Sequence, residues 1–287
     1  MTKIVRFETP AGKTGYGCLH GDDRVTRLDG ELFSPYSDAS AGPSWRDSGE
    51  PIEVARLLAP VVPSDLFCIG LNYREHAAEG GKPIPDHPVV FGKSAGSVQR
   101  PGGPIELPRT LRSDRVDYEA ELVVIIGRPC RNATPETAFD YVLGYTCGND
   151  VSARDWQKHG GGGQWRRGKM FDTFAPMGPC LVTHGPGDDA IADPQSLGVK
   201  TLLNDEVMQD GHTGDMIFPV AELIAFLSGS TTLAAGTAIF TGTPAGVGFA
   251  RKPPVWLQPG DEVTIEIDRI GRLTNPVVEE IRVDDSG

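Results

Sequence analysis

The sequence predicts a mainly β protein with some α, organised as a small N-terminal α/β module over residues 1–62 and a larger β-rich body over residues 63–287. Two observations predict it. The chain holds 36 glycines and 24 prolines, a punctuation that suits many turns and short strands and disfavours helical bundles and coiled coils. Its apolar residues also fall in short runs, several of them continuous, as in strands buried on both faces.

In chain order, Lys3–Thr9 and Gly15–Leu19 read as short strands around a glycine-containing turn, and Glu53–Leu58 reads as a helix fragment. Ser34–Pro51, rich in Ser, Gly and Pro, reads as a loop. Pro60–Ser64 is a linker, because each proline holds its predecessor extended. The strands of the body are Leu66–Leu71, Val89–Phe91, Glu119–Ile126, Tyr141–Cys147, Val199–Leu203, Ala238–Thr241 and Val263–Ile267. Peripheral helices are expected at Arg74–Glu79, Pro135–Phe139 and Val220–Leu227. No repeat has the period of a solenoid or propeller.

Composition excludes several function classes. The formal net charge of −12, with no long basic run, argues against binding nucleic acid, which needs a positive face for phosphates. No apolar stretch is long enough for a membrane span. The start, MTKIVRFETPAG, lacks an apolar h-region, so no signal peptide is expected. Five widely spaced cysteines form no C-x-x-C; reduced thiols in a cytoplasmic protein are expected, not a disulfide frame or zinc site.

Four stretches can carry chemistry. In Tyr118-Glu119-Ala120-Glu121-Leu122, residues i and i+2 of a strand share a face, so Glu119 and Glu121 point the same way. They enter an apolar strand where an isolated carboxylate is costly, a cost that a divalent cation offsets; two solvated glutamates at a strand end are the plainer alternative. Asp150 leaves the next buried strand, in Gly148-Asn149-Asp150, where pairing can bring it beside them. Three carboxylates are hard oxygen ligands, suited to Mg²⁺, Mn²⁺ or Ca²⁺ over zinc.

His76 and Glu79, at i and i+3 of a helix, can pair so that the carboxylate orients the imidazole and raises its basicity. Gly80-Gly81 would let that segment hinge. Four glycines, Gly160–Gly163, mark a flexible loop ahead of Lys169, which can return positive charge to an anionic site. An ordinary surface helix pair and a solvated lysine are the plainer readings.

Two other matches are accidental. Gly92-Lys93-Ser94 has His87 where a phosphate-binding loop needs glycine. Gly92-Lys93-Ser94-Ala95-Gly96 would make Ser94 a nucleophile only if a helix followed, which Ser97–Pro104 cannot form. The Thr241–Gly248 run lacks dinucleotide-binding order, yet its backbone N–H groups could cradle a substrate carboxylate.

Taken in order, these stretches resemble the fumarylacetoacetate hydrolase family. The matching runs are Gly70-Leu71-Asn72-Tyr73 with His76 and Glu79, Asp117–Leu122, Asn149–Asp155, Gly168–Asp172 and Thr241–Gly248. Arg154–Pro179 is most similar to the domain-containing members and the 2,4-diketo-3-deoxy-sugar-acid hydrolases. The resemblance implies a mixed β-sandwich roll, a homodimer, and Mg²⁺ or Mn²⁺ held by Glu119, Glu121 and Asp150. It also implies His76 and Glu79 as a dyad on a lid, Lys169 as a charged catalytic residue, and Tyr73, Arg154, Gln157 and Thr243 as substrate contacts. One departure is Leu71, where some acylpyruvate-cleaving members carry Arg.

The reaction so implied is hydrolysis of the C–C bond of acylpyruvates or other 2,4-dioxo acids. The cation would stabilise a pyruvate enolate, and His76 would activate water. The same enolate serves oxaloacetate tautomerisation or decarboxylation and isomerisation of 2-hydroxyhepta-2,4-diene-1,7-dioate, the alternative reading.

Overall fold

A computed structural model describes residues 3–21, 23–33, 44–160, 163–188 and 190–281. Its centre is the strand Ala120–Ile126, pairing antiparallel with Val142–Asn149 on one side and Ala238–Phe240 on the other. Beyond Ala238–Phe240 the sheet continues through Leu66–Gly70, parallel, and Val89–Gly92, antiparallel. In the other direction it runs through Ala175–Thr183 to Lys3–Glu8 and the N-terminal strands, twelve strands among the described residues. A five-stranded sheet, including Gly198–Leu203 and Glu262–Ile267, packs across Ala120–Ile126 and Val142–Asn149.

The central strand is apolar on both sides because it has protein on both sides. Leu122, Val124 and Ile126 join the cluster shared with Val199, Val263 and Ile265. Val123 and Ile125 face Ala175, Met177 and Phe240. All five are fully buried, and each such side chain contributes about 1.5–3 kcal/mol of burial. Helices stay peripheral. Val220–Ser228 buries Val220, Leu223, Ile224 and Leu227 along one stripe. Among the described residues no helix is long and apolar enough to cross a membrane.

Several expectations need correction. Glu53–Leu58 is not helical: Arg56–Leu58 is a strand against Lys3–Glu8, with Arg6 opposite Leu58. The N-terminal module is therefore β throughout its described residues, not α/β. The proposed loop is in part a strand, since Ser44–Pro51 pairs with Val25–Glu31, while residues 34–43 lie outside the described residues. Pro135–Phe139 gives way to a 3₁₀ turn at Ala138–Tyr141. Of the glycine run, Gly160 closes a π-helical turn, Trp156–Gly160, and residues 161–162 lie outside the described residues.

Candidate active site

Register assembles the carboxylates. Ala120 pairs with Asn149, and the Asp150 N–H donates to the Glu119 carbonyl at 2.9 Å. Asp150 thus leaves its strand beside Glu119, while Glu119 and Glu121 share one face of theirs. The three carboxylates are buried, with ligand oxygens within 4.8 Å of one another.

Cations from three further segments meet them. Lys169 ends the helix Trp165–Lys169 and donates to Glu119 Oε2 at 2.5 Å and Asp150 Oδ2 at 2.6 Å. Gly168 allows that approach, since a Cβ there would stand 2.5 Å from the Gln157 nitrogen. Arg154 donates to Glu119 Oε1 at 2.7 Å, to Asp117 Oδ2 at 2.9 Å and to Gln157 Oε1 at 3.1 Å. Lys93 donates to Asp150 Oδ1 at 2.5 Å and to the Val151 carbonyl at 3.0 Å.

These contacts split the two glutamates. Burial pushes the Glu119 carboxyl up, but Arg154 and Lys169 overcome it and hold Glu119 well below the usual carboxylate range. Burial, then Asp150 and Glu119, drive Glu121 well above that range, against a weaker opposing pull from Lys169 and the Gly242 N–H. Burial also pushes Asp117 up, with Arg154 opposing it. For Lys169, burial favours the neutral amine, and Asp150 and Glu119 outweigh it to keep the ammonium.

The donor set fits a hard divalent cation. It is three convergent oxygen ligands, with no sulfur or imidazole, and burial and its two carboxylate neighbours push one member, Glu121, well above the usual carboxylate range. Cation binding must displace the Glu121 proton, so affinity rises with pH. Titration with Mn²⁺, followed by electron paramagnetic resonance, is expected to show tighter binding at about pH 8 than at about pH 6. Equal affinities would mean that Glu121 is already ionised.

Above the carboxylates opens a cavity of about 800 Å³. Glu119, Glu121, Asp150, Lys169, Arg154, Gln157, Thr243 and His76 all line it. His76 sits on the short helix Arg74–Glu79 with Nδ1 2.7 Å from Glu79 Oε1. Asp215 anchors the start of this helix by accepting the Glu75 N–H at 3.0 Å. Glu79 does not line the cavity; its second role is to accept the Gly246 N–H, at 3.0 Å to Oε2. Tyr73 does not line it either. The ring is fully buried and its hydroxyl has no hydrogen-bond partner among the described residues.

The Thr241–Phe249 loop is used differently from the sequence expectation of a cradle for substrate. Its Gly242 N–H donates to Glu121 Oε2 at 2.8 Å, and the Gly248 and Phe249 N–H groups donate to Asp117 at 2.7 and 3.1 Å. With Gly246 on Glu79, these four donors serve the protein's own carboxylates. Gly242 has φ +97°, and a Cβ there would stand 2.7 Å from that of Asn72, so glycine is required. The Thr243 hydroxyl accepts from Gln209 Nε2 at 2.8 Å, which leaves its proton for a ligand.

Sequence reasoning missed Lys93, Asp117 and Gln209. Lys93 lies within an accidental motif; the usable signal is a lysine closing an apolar strand with no acidic residue from Pro88 to Val98. Ser94, its neighbour, donates to the Met170 carbonyl at 3.4 Å and precedes only a 3₁₀ turn, Ala95–Ser97. It makes no nucleophile elbow.

A family model described as fumarylacetoacetate (FAA) hydrolase C-terminal matches residues 65–278. The chain belongs to the fumarylacetoacetate hydrolase family. A second model, described as Rv2993c-like, N-terminal, matches residues 2–60. Among relatives in the fumarylacetoacetate hydrolase family, the mitochondrial oxaloacetate tautomerase fahd2 of Xenopus laevis is 47% identical over 223 residues, covering 77% of this chain and 68% of that protein. The human mitochondrial oxaloacetate tautomerase FAHD2A is 45% identical over 222 residues, covering 77% and 69%. Among solved structures, the 2-hydroxyhepta-2,4-diene-1,7-dioate isomerase of Mycobacterium marinum superposes with TM-score 0.80 at 36% identity, over 98% of this chain and 100% of that one. The fumarylacetoacetate hydrolase of psychrophilic Exiguobacterium antarcticum gives 0.82 at 36%, with the same coverage. The mainly β architecture is thus that of the fumarylacetoacetate hydrolase fold.

Proposed function

We propose that this protein is a divalent-cation-dependent enzyme, using Mg²⁺ or Mn²⁺, that enolises a small 2-oxo acid, and that its reaction is oxaloacetate tautomerisation. The observation that carries the reading is the buried floor of Glu119, Glu121 and Asp150 under a cavity that also presents His76. Relatives named as oxaloacetate tautomerases and a structural neighbour named as a diene-dioate isomerase support proton transfer over bond cleavage.

Glu119, Glu121 and Asp150 would hold the cation, which would supply Lewis acidity to the 2-oxo acid. The chain's own residues do the rest. Lys169, fixed between Glu119 and Asp150, adds positive charge where negative charge develops on the substrate. Thr243 offers its hydroxyl proton, and Gln157 is held by Arg154. In the tautomer whose Nδ1–H donates to Glu79, Nε2 is the nitrogen that can act as base. It takes the proton from the enol hydroxyl, and the protonated ring or solvent returns one to C3.

The same dyad favours a second reading, hydrolysis of 2,4-dioxo acids. There His76 takes a proton from water attacking the 4-carbonyl, the C3–C4 bond breaks, and pyruvate and a carboxylic acid leave. A substrate panel separates them. Oxaloacetate tautomerisation is expected to need Mg²⁺ or Mn²⁺ and to outpace acylpyruvate cleavage, whereas faster cleavage would reverse the order. His76→Ala is expected to lower kcat by about 100-fold or more, and unchanged tautomerisation would remove His76 from the reaction.

The proposal includes a homodimer, which light scattering on the eluting protein tests directly. It also includes a reducing compartment such as the cytoplasm, supported by five free, buried cysteines. The animal relatives are named as mitochondrial, so the cysteines support a reducing interior more than one address.

A further inference from the structure

Two cavity lysines take no part in the chemistry above. Lys82 follows the short His76 helix, its N–H donating to the Ala77 carbonyl at 2.9 Å, and Lys158 lies in the π-helical turn. Both line the cavity. The other lysine and the arginine there are committed, Lys169 to Glu119 and Asp150, and Arg154 to Asp117 and Glu119. Among the described residues, neither Lys82 nor Lys158 makes an ion pair.

Lys158 is nonetheless placed. Its ammonium stands 3.8 Å from the centroid of the Phe249 ring, which the Arg154 guanidinium also faces at 4.9 Å. Cation–π contact of this kind directs a long side chain without neutralising it. Burial, then Arg154 and Lys82, lower the pKa of Lys158 against a weaker opposing pull from Asp117, so the two lysines lie within each other's field. In a chain with net charge −12, there is no shortage of carboxylates to pair with them. Both lysines are exposed at the cavity, and two ammonium groups there, neither held in an ion pair, are placed to meet an anion of the ligand. Leu71, also in the wall, contributes no charge there.

We infer that Lys82 and Lys158 form a distal anion subsite, which takes the far carboxylate of a dicarboxylic 2-oxo acid whose other end lies on the carboxylate floor. The subsite rests on the reading of that floor as a 2-oxo acid site. It makes the enzyme selective for diacids. It also joins the segment after the His76 helix to the π-helical turn through the substrate, so that the diacid draws the two sides of the cavity mouth together.

The test compares oxaloacetate with its 4-methyl ester, which keeps the floor end and loses the distal charge. Turnover and binding are measured with Mg²⁺ in the wild type, Lys82→Met, Lys158→Met and the double variant. Each substitution is expected to raise KM for oxaloacetate about tenfold with kcat little changed, and the double variant is expected to handle diacid and ester alike. KM for the diacid should rise with salt in the wild type and much less in the double variant. If the ester is turned over but the substitutions affect both compounds equally or neither, the subsite falls and the floor reading stands. If neither compound binds or turns over in the wild type, the floor reading fails and the subsite with it.

Discussion

Arg154→Met is expected to cost about 3–5 kcal/mol of folding stability, the loss typical when one partner of a buried ion pair is removed. Methionine keeps most of the volume, so the loss is electrostatic. Asp117 is fully buried and Glu119 nearly so, and both would keep their place without the guanidinium that Asp117 Oδ2 meets at 2.7 Å. Asp117 retains three backbone donors, from Tyr118, Gly248 and Phe249, which should let the fold survive. Urea unfolding in chelator measures the loss, and a change below about 1 kcal/mol would place this cluster with exposed pairs. Adding Asp117→Asn to Arg154→Met should restore part of the stability, because it removes one stranded charge.

Glu121→Gln is expected to act in opposite directions on the cation and on the fold. The substitution takes one of three charged ligands away, and Mn²⁺ affinity should fall by at least about 100-fold, since ligand charge count dominates hard-cation affinity. Metal-dependent turnover should fall with it. The metal-free fold should not suffer. Burial and two neighbouring carboxylates push the Glu121 carboxyl well above its usual range, toward the neutral form, and a glutamine oxygen can accept the Gly242 N–H in its place. A Tm in chelator equal to or above that of the wild type, together with lost Mn²⁺ binding, is the expected pair of results. Lost stability with retained binding would mean that Glu121 packs the loop and ligates nothing.

The sequence makes the floor legible because strand geometry is local. An E-x-E at the start of an apolar run and an aspartate at the exit of the next such run require only the two-residue period and one antiparallel pairing. The cations around the floor are harder. Lys93 and Arg154 find their carboxylates 57 and 37 residues away, and nothing in their local sequence names the partner. The strand Ala175–Thr183 was missed because Pro176, Gly178 and Pro179 read as breakers. Pro179 falls at the irregularity where its partner register slips between Tyr145 and Cys147, a position where a missing N–H leaves no gap in the ladder. Gly271–Glu279 was missed with its Pro276 for a similar reason. The N-terminal strand Arg56–Leu58 resembles a helix fragment in sequence because its apolar residues take their environment from Lys3–Glu8, which no short window contains.

The Thr241–Phe249 loop holds Glu121 through Gly242, Glu79 through Gly246 and Asp117 through Gly248. One short stretch of backbone is therefore bonded to one of the three clustered carboxylates, to the partner of His76, and to the anchor of Arg154. Whatever shifts one of these carboxylates is felt by the others through a shared main chain. Linkage then requires reciprocity: if loading the floor increases the affinity for a ligand that engages the base, that ligand increases the affinity of the floor by the same factor. On the proposed reading, the loop is the stretch of main chain through which the two affinities would be coupled.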